Sequence, residues 1–374
     1  MFVEFHKINK QQTTRNVRRL TVASFIFFFG LRGFVYTDWY NYYPFFNALP
    51  TIGDNGLYHV FHNSTYDIGF ELYAVLIKSL WPNYFFWIFI SSCIDMAILH
   101  ICFKRYAPNY YVFGFIVFFI LGGDIMEINL MRNVKAILLF MLSLRYLQER
   151  KIAPYMLLNL IGVSFHLSAI VYFPLYFLLH KEFSKPFLWT IFIVGNIIFL
   201  FQISYIQPIF TFFADIIGPQ AVAKVQTYFN YSQYNKPYGM SIGYFERIIS
   251  YILFLLFYTK LKDQHRHNIV LINVFVLYFI CFFYFAEIRG ASVRMAGLFI
   301  FAYWLLYPNL YSVLQKKGNR MLFMILFFCT SIGRVAIHNN NLLHEYDNLI
   351  FGIKSYEVRK NNFEKYSEII FKSN

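Results

Sequence analysis

Ten apolar runs, most of them near the length of a membrane-spanning helix, dominate the sequence. They lie at residues 20–35, 84–103, 110–121, 131–147, 154–179, 187–205, 248–258, 269–286, 295–314 and 321–337. A bilayer core is about 30 Å thick, and about 20 residues of helix cross it. Because alternation typical of barrel strands is absent, the runs predict an all-α, polytopic transmembrane helical bundle of about ten or eleven spans or half-spans.

Charge is scarce but strongly basic. Hydrophobic residues make up 58% of the 374 residues and charged residues only 14%, yet the net charge is +14. Such a composition excludes a disordered chain, and it leaves too few charges to cover a soluble fold of this size. No polar domain is visible that could use the basic excess to bind nucleic acid.

Six clusters contain the basic excess and predict the topology. Together they hold 18 of the 33 Lys and Arg residues and 4 of the 19 Asp and Glu residues. The clusters are residues 1–19, 104–105, 145–151, 181–185, 260–266 and 316–320. Positive loops stay cytoplasmic, so we expect a cytoplasmic N-terminus, with the remaining polar segments on the outer side.

Two runs must then return without crossing. The short helix predicted at residues 69–81 stays at the outer interface, and the run 154–179 breaks at residues 165–168. We expect one integral-membrane domain over residues 1–337 with outer loops at 36–83 and 206–247, and a polar tail at 338–374.

Ionisable side chains within spans are costly and therefore face a partner or a cavity. Arg32 ends the first run, and it pairs with Asp38, reaches the interface, or clamps an anion. The aromatic residues around Asp38, among them Tyr43, suit either an interfacial belt or a platform for a sugar ring.

Two further segments place charge at predicted helix starts. Asp67 suits a helix cap, and Glu71 on the apolar helix that follows is a candidate base. Arg132 and Lys135 share a face at the start of the next helix, where the helix dipole disfavours cations and a bound polyanion would offset the cost.

The last candidates are a histidine and a pair of arginines. His166, at the predicted break, is either a hydrogen-bonded core residue or a functional one, and no second ligand at metal spacing accompanies it. Arg289 and Arg294 share a short outer hairpin, where Glu287 neutralises one of them or both bind a diphosphate.

The candidate residues combine cations for a diphosphate, carboxylates, a histidine and many aromatic residues, and the sequence has no nucleotide-binding motif. This combination favours a lipid-diphosphate sugar as substrate and a metal-independent glycosyl transfer without a cofactor. Four segments also resemble the EpsG-like branch of the Wzy-type polysaccharide polymerases, which join O-antigen or capsule repeat units. These segments are residues 32–43, 69–73, 132–136 and 165–169, and the resemblance covers about the first 180 residues. This chain departs from the family pattern at Asn133 and Lys135.

The resemblance implies a GT-C-like membrane glycosyltransferase that lies in the bacterial inner membrane, has its active site facing the periplasm and joins repeat units carried on undecaprenyl diphosphate, with a chain-length regulator protein as a candidate partner. It implies that Arg32, Arg132, Lys135, Arg289, Arg294, Tyr43 and Tyr73 bind the substrate and that Asp38, Glu71 and His166 are the catalytic candidates. A transporter or flippase of the same lipid-linked glycans, a ligase and an acyltransferase of surface glycans remain alternatives.

Overall fold

The computed structural model describes residues 11–219, 239–339 and 342–373, together with positions 222, 226 and 229. Within these residues every regular element is a helix, and extended pairing is limited to isolated bridges of Asn348 with Arg32 and with Gly352. The fold confirms the predicted all-α class. The predicted cytoplasmic residues 1–10 and the greater part of residues 220–238 in the predicted outer loop lie outside the described residues.

The chain packs as two compact units. The first comprises Met1–Tyr176 and Phe327–Asn374, and the second comprises Phe177–Leu326. The division of the chain into one membrane domain over residues 1–337 and a polar tail stays a prediction.

The first unit begins with a long helix and continues through shorter ones. Its helices are α1 (Gln11–Gly30), α2 (Trp39–Ala48), α3 (Gly56–His62), α4 (Ile68–Leu80), α5 (Tyr84–Tyr106), α6 (Tyr111–Phe118), α7 (Asp124–Ile128), α8 (Met131–Gln148), α9 (Ile152–Phe165) and α10 (Tyr172–Leu175). The remaining helices begin in the second unit, with α11 (Lys185–Leu200), α12 (Ile206–Ile217), α13 (Ile242–Leu256), α14 (Tyr258–Gln264), α15 (His267–Phe283), α16 (Arg289–Gly297) and α17 (Phe301–Val313). Two more follow, α18 (Lys317–Asn339) and α19 (Tyr356–Ser373).

Among the described residues, two helical stretches are long and apolar enough to cross a membrane. They are α5 and the run Tyr111–Ile128, in which the π turn Phe119–Gly123 joins α6 to α7. Two bent pairs would add two spans, α13 with α14 at 65° and Gly290–Gly297 with α17 at 57°. These apolar helices agree with the predicted polytopic membrane class.

A short helix and an interrupted helix occur at the two segments that the sequence predicts to return without crossing. The short helix is α4, with 13 residues. The run 154–179 is interrupted at His166, where α9 ends in extended backbone and the 3-10 helix Leu167–Val171 follows. Beyond the break, Tyr172 stacks on Phe140 of α8 with ring centroids 3.8 Å apart, and Tyr155 donates a hydrogen bond to the Tyr172 carbonyl at 2.6 Å. These contacts fix the course of the chain after the break.

An aromatic core joins α2, α4 and α5. Phe46 stacks on Trp87 with centroids 5.0 Å apart, and Phe70 packs against the same indole at 5.5 Å. Lys78 of α4 donates to the carbonyls of Phe46 and Leu49 at 2.8 and 2.5 Å, so it closes the C-terminal end of α2. The core therefore sets the first turns of α2 and α4, where several candidate residues lie.

The second unit packs around α11, α13 and α15. Tyr251 of α13 lies against Phe192 and Phe279, with ring centroids 5.1 and 4.4 Å away, and donates a hydrogen bond to the Leu188 carbonyl. Ser184 and Ser241 cap α11 and α13 by accepting hydrogen bonds from backbone amides of the first turn.

Candidate functional site

Arg132 lies where three distant segments of the first unit meet. It is the second residue of α8, and its Nη1 donates to Asp67 Oδ2 at 2.9 Å. Its Nε donates to the Tyr42 hydroxyl at 3.4 Å, and its guanidinium lies 4.6 Å from the centre of the Tyr66 ring. The Arg132 side chain remains 28% exposed, so a ligand can reach it.

Asp67 has a different role from the one its position suggests. It occupies the N-cap position of α4, as predicted, but its side chain makes no capping hydrogen bond. Instead its carboxylate pairs with Arg132. The predicted side-chain cap is wrong because a guanidinium on a neighbouring helix competes for the carboxylate and forms the stronger, charge-assisted bond.

The start of α4 lies against the end of α9. A Cβ atom at Gly69 would come within 2.1 Å of Ser164 Oγ, so only glycine permits this approach. Tyr73, one turn further along α4, meets Phe165 edge to face with centroids 5.9 Å apart. The approach brings the break after α9 to the same region as the first turn of α4.

The Nδ1 atom of His166 accepts a hydrogen bond, so the other ring nitrogen, Nε2, is the donor. The backbone amide of Ser168 donates to Nδ1 at 3.2 Å, and Ser168 Oγ lies 2.7 Å from the same atom. An amide can only donate, so Nδ1 accepts and the neutral ring has its proton on Nε2. Ser168 Oγ also lies 3.5 Å from Asn133 Oδ1, next to Arg132. In this tautomer His166 suits binding of an oxygen anion better than removal of a proton.

Glu71 is fully buried and largely occupied by the protein. Its Oε1 accepts from the backbone amides of Thr65 and Tyr66, both at 2.5 Å, whereas its Oε2 lies 3.7 Å from His59 Nε2 and makes no hydrogen bond to a described residue. These bonds shape the turn before α4 and thereby place Tyr66 under Arg132. The catalytic role of Glu71 stays a prediction, with the carboxylate directed into the fold.

Asp38 starts α2 beside the same group of residues. Asn129 Oδ1 accepts from the amides of Asp38 and Thr37 at 2.8 and 3.0 Å, which anchors this turn to the end of α7. Burial raises the pKa of Tyr42 to about 12, and the negative charge of Asp38 contributes to the rise. Tyr42 therefore keeps its proton at physiological pH and can donate it. Asp38 is only partly buried, as an accessible base requires.

Arg32 does not pair with Asp38. It is 4% exposed and donates to the carbonyls of Phe29 and Glu127 at 2.5 and 3.2 Å and to Ser92 Oγ at 3.5 Å. The predicted pairing and the predicted reach to the interface are both wrong, because the side chain turns inward. Its role as a diphosphate ligand stays a prediction.

Lys135 is buried as well. Its Nζ bonds to the Asp95 carboxylate and, at 3.2 Å, to the Ser91 carbonyl, and it lies 5.6 Å from the Tyr73 ring centre. Lys135 shares the start of α8 with Arg132, but each cation already has a carboxylate partner, Asp95 and Asp67 respectively. The protein itself supplies the anions that we expected a bound polyanion to supply. Binding of the diphosphate by Lys135 stays a prediction.

Sequence reasoning missed Asp95 and did not select Glu127 as a site residue. Ser92 Oγ donates to Glu127 Oε1 at 3.0 Å. Among the described residues, Asp95 Oδ1 and Glu127 Oε2 are buried without a hydrogen-bond partner. The available signal was a single carboxylate in the apolar run 84–103, which is expensive in a membrane and demands a partner such as Lys135.

Arg289 and Arg294 belong to the second unit. Residue 289 begins α16, so the two lie five positions apart on one helix, about 140° around its axis. The predicted tight hairpin is therefore wrong. Arg294 is exposed, and the Arg289 side chain lies outside the described part of the structure. Their binding of the diphosphate stays a prediction.

Glu287 binds backbone amides at the start of a helix. Its two carboxylate oxygens accept from the amides of Tyr205, Ile206 and Gln207 at 2.9, 2.6 and 3.0 Å. A carboxylate at this place satisfies free amides at the start of α12 and suits the helix dipole. The predicted salt bridge of Glu287 with an arginine stays a prediction, because the Arg289 side chain lies outside the described part of the structure.

Tyr43, the predicted sugar-binding aromatic residue, packs within the first unit. Its ring stacks on Tyr356 of α19 with centroids 4.6 Å apart and meets Phe34 and Tyr84 edge to face. In the described part of the chain, no three His, Cys, Asp or Glu side chains gather closely enough to hold a metal ion.

The fold and the cluster around Arg132 together define a helical membrane protein with a polar site at the ends of its helices. The model of the EpsG family matches residues 16–350 of this chain. The chain therefore belongs to the EpsG family, which makes it a polysaccharide-related membrane protein. Searches of curated proteins and of solved structures found no match. The GT-C-like fold stays an expectation.

Proposed function

We propose that this protein is a polysaccharide polymerase. It transfers a glycan from one undecaprenyl-diphosphate carrier to the terminal repeat unit of a second. A base removes the proton of an acceptor hydroxyl, and the hydroxyl oxygen attacks the anomeric carbon of the donor. The bond between that carbon and the diphosphate oxygen breaks, and the diphosphate leaves with the electron pair. No metal or cofactor takes part in this reaction.

Arg132 binds the leaving diphosphate. Its guanidinium is already oriented by Asp67 and by the Tyr66 ring, so it loses little freedom on meeting the phosphate oxygens. Tyr42, protonated and adjacent, adds a hydroxyl donor, and His166 adds an N–H donor through Nε2. Donors arranged before the reaction stabilise charge as it develops on the leaving group.

Asp38 is the base that the geometry supports best among the three candidates. Glu71 is fully buried, where an acceptor sugar has no access, and the His166 tautomer presents a proton. Asp38 is partly exposed and stands beside the Tyr42 that Arg132 contacts.

One observation supports this proposal most strongly. Three of the four segments that resemble the polymerases contact the remaining one, residues 132–136, within one unit. Tyr42 of 32–43 contacts Arg132, the Tyr73 ring of 69–73 lies 5.6 Å from Lys135 Nζ, and Ser168 of 165–169 reaches Asn133. Residues so far apart in sequence gather in this way when they form a common site. Membership of a polysaccharide-related family supports a glycan substrate for that site.

Deleting the gene tests the reaction in the cell. We expect single repeat units to accumulate on the lipid carrier and the ladder of longer chains to vanish. A plasmid with the intact gene restores the ladder, and one encoding Arg132→Ala does not. A ladder that persists in the deletion strain contradicts the proposal.

The periplasmic orientation is a separate part of the proposal, supported by the six basic clusters. Reporter fusions at Lys151, between α8 and α9, and at Lys185, at the start of α11, should both report the cytoplasm. A periplasmic signal at either position would reverse the predicted orientation of the site.

A further inference from the structure

The C-terminal segment, residues 342–373, lies along the segment that follows α1. The amide of Gly33 donates to the Asp347 carbonyl at 3.0 Å, and the amide of Tyr36 donates to the Leu343 carbonyl at 2.8 Å. In the other direction, the amide of Leu349 donates to the Leu31 carbonyl at 2.8 Å. We call residues 342–373 the strap and residues 31–43 the entry segment. Backbone bonds in both directions fix the position of one along the other.

Ring stacking continues the contact along α19. Tyr356 stacks on Tyr43 with centroids 4.6 Å apart, and Phe363 stacks on Tyr40 at 4.5 Å. The Tyr356 ring also meets Trp39 edge to face at 5.8 Å. Aromatic pairs of this kind add stability beyond the area they bury.

A buried ion pair closes the strap on itself. Arg359 is 3% exposed, and its Nη2 lies 3.0 Å from Asp347 Oδ2 and donates to the Glu345 carbonyl at 2.8 Å. Asp347 also accepts from the Lys354 amide at 2.8 Å. The strap therefore buries the charge of Arg359, which is costly unless the ion pair holds part of the fold in place.

The entry segment approaches the strap more closely than any side chain permits. A Cβ atom at Gly33 would lie 2.1 Å from Asp347 Oδ1 and 2.9 Å from Ile353 Cγ2. Asp347 thus contacts Gly33 on one side and Arg359 on the other. The ion pair sets the position of Asp347, and Asp347 sets the position of Gly33.

The far end of the entry segment contains Tyr42, which contacts Arg132, and Asp38, whose carbonyl accepts from the Tyr42 amide at 2.9 Å. We propose that the strap is part of the site, with Arg359 and Asp347 as positioning residues that hold the entry segment so that Asp38 and Tyr42 face Arg132. This inference rests on the proposed function, and it assigns a role to a segment that sequence composition marks only as a polar tail.

Amide hydrogen exchange and polymerisation, measured on the same purified proteins, test the inference. In Arg359→Ala we expect the amides of Gly33 and Tyr36 to exchange about tenfold faster or more, because removing one partner of a buried ion pair strongly destabilises what it holds. Polymerisation should slow by a similar factor. Lys365→Ala, an exposed cation on the same helix, should change neither, and Arg359→Lys should restore part of both.

Gly33→Ala tests the same contact from the other side and removes no charge. We expect it to speed exchange in the entry segment and to lower kcat more than it raises KM for the donor, since Arg132 itself is untouched. Gly30→Ala is the matched control, because a Cβ there meets Phe89 at a milder 3.1 Å.

The outcomes separate the two claims. Faster exchange in Arg359→Ala with unchanged polymerisation overturns the positioning role, and unchanged exchange overturns the ion pair as the element that holds the segment. A wild-type protein that makes no polymer refutes the proposed reaction and the strap's part in it together. If the wild type makes polymer and Arg359→Ala polymerises equally well, only the role of the strap is refuted.

Discussion

Replacing Arg132 by alanine should abolish polymerisation while leaving the protein folded. The change removes a partly exposed ion pair with Asp67, a cation–π contact with Tyr66 and a long hydrogen bond to Tyr42. A partly exposed ion pair contributes about 0.2–1 kcal/mol and an accessible cation–π contact about 0.5–1 kcal/mol. The loss of stability is therefore on the order of 1–2 kcal/mol, too little to unfold a helical unit with this aromatic core.

The expected effect on the reaction is larger. Removing one preorganised donor from developing negative charge costs about 10²–10³-fold in kcat. Arg132→Lys keeps the positive charge but loses the forked donor, so its activity should fall between those of the wild type and the alanine variant. The stability terms and the kinetic term thus differ enough to be told apart.

The assay follows chain growth from a purified lipid-linked repeat unit, with protein amount and melting temperature measured in the same detergent. Arg145→Ala is the control, since Arg145 lies near the other end of α8 and pairs with Glu149 at 2.8 Å on an exposed surface. If Arg132→Ala polymerises within about twofold of Arg145→Ala, far below the loss expected for a removed donor, the role of Arg132 in binding the diphosphate is refuted.

Three further predictions address the base, the buried charges and the helix contact. Asp38→Asn should lose polymerisation with an unchanged melting temperature, and an asparagine variant of normal activity would remove Asp38 as the base. Asp95→Asn or Lys135→Met alone should destabilise the protein by about 3–5 kcal/mol, and the double change should recover much of the loss, as denaturation in detergent would show; single variants of wild-type stability would contradict the burial. Gly69→Ala should lower both stability and activity through its clash with Ser164, and a neutral result would contradict the close approach.

A pH series gives one more check on the donors. Burial raises the pKa of Tyr42 to about 12, so the stability that protonated Tyr42 contributes is complete below its ordinary pKa of about 10 and is lost as the pH rises through about 12. Wild type and Tyr42→Phe should therefore differ in rate by a constant factor between about pH 6 and pH 9, well below that window. A difference that disappears on raising the pH across this range would show that Tyr42 ionises there.

The sequence predicted the helical elements well where a single physical rule applied. The length of α4 and the break at His166 followed from hydrophobic length and from polar residues inside an apolar run. Arg132 was identifiable because a cation at a helix start needs an anion. These are local signals, and local sequence contains them.

Partner choice could not be predicted in the same way. Arg32 bonds across the first unit to Ser92 and Glu127, at sequence separations of 60 and 95 residues, and not to the nearby Asp38. Lys135 pairs with Asp95, which lies 40 residues away on α5. Such pairs depend on how helices pack, and a single sequence gives spacing along each helix but not the registers between them.

The tail is another element whose contacts could not be predicted from composition. Mixed charge at residues 338–374 is typical of a solvated appendage, yet the strap bonds through its backbone and buries Arg359. Backbone hydrogen bonds leave no mark in the side-chain pattern. The spacing of Tyr356 and Phe363 on one face of α19 was the available hint.

The most direct test of the account uses the purified protein in detergent, with a single lipid-diphosphate-linked repeat unit as both donor and acceptor and with a chelator present. The account predicts a ladder of longer lipid-linked glycans and release of undecaprenyl diphosphate, one molecule for each bond formed. If a folded protein forms no ladder in detergent but moves the same lipid-linked unit across the bilayer of a vesicle, the protein is a transporter and the proposed polymerase reaction is wrong.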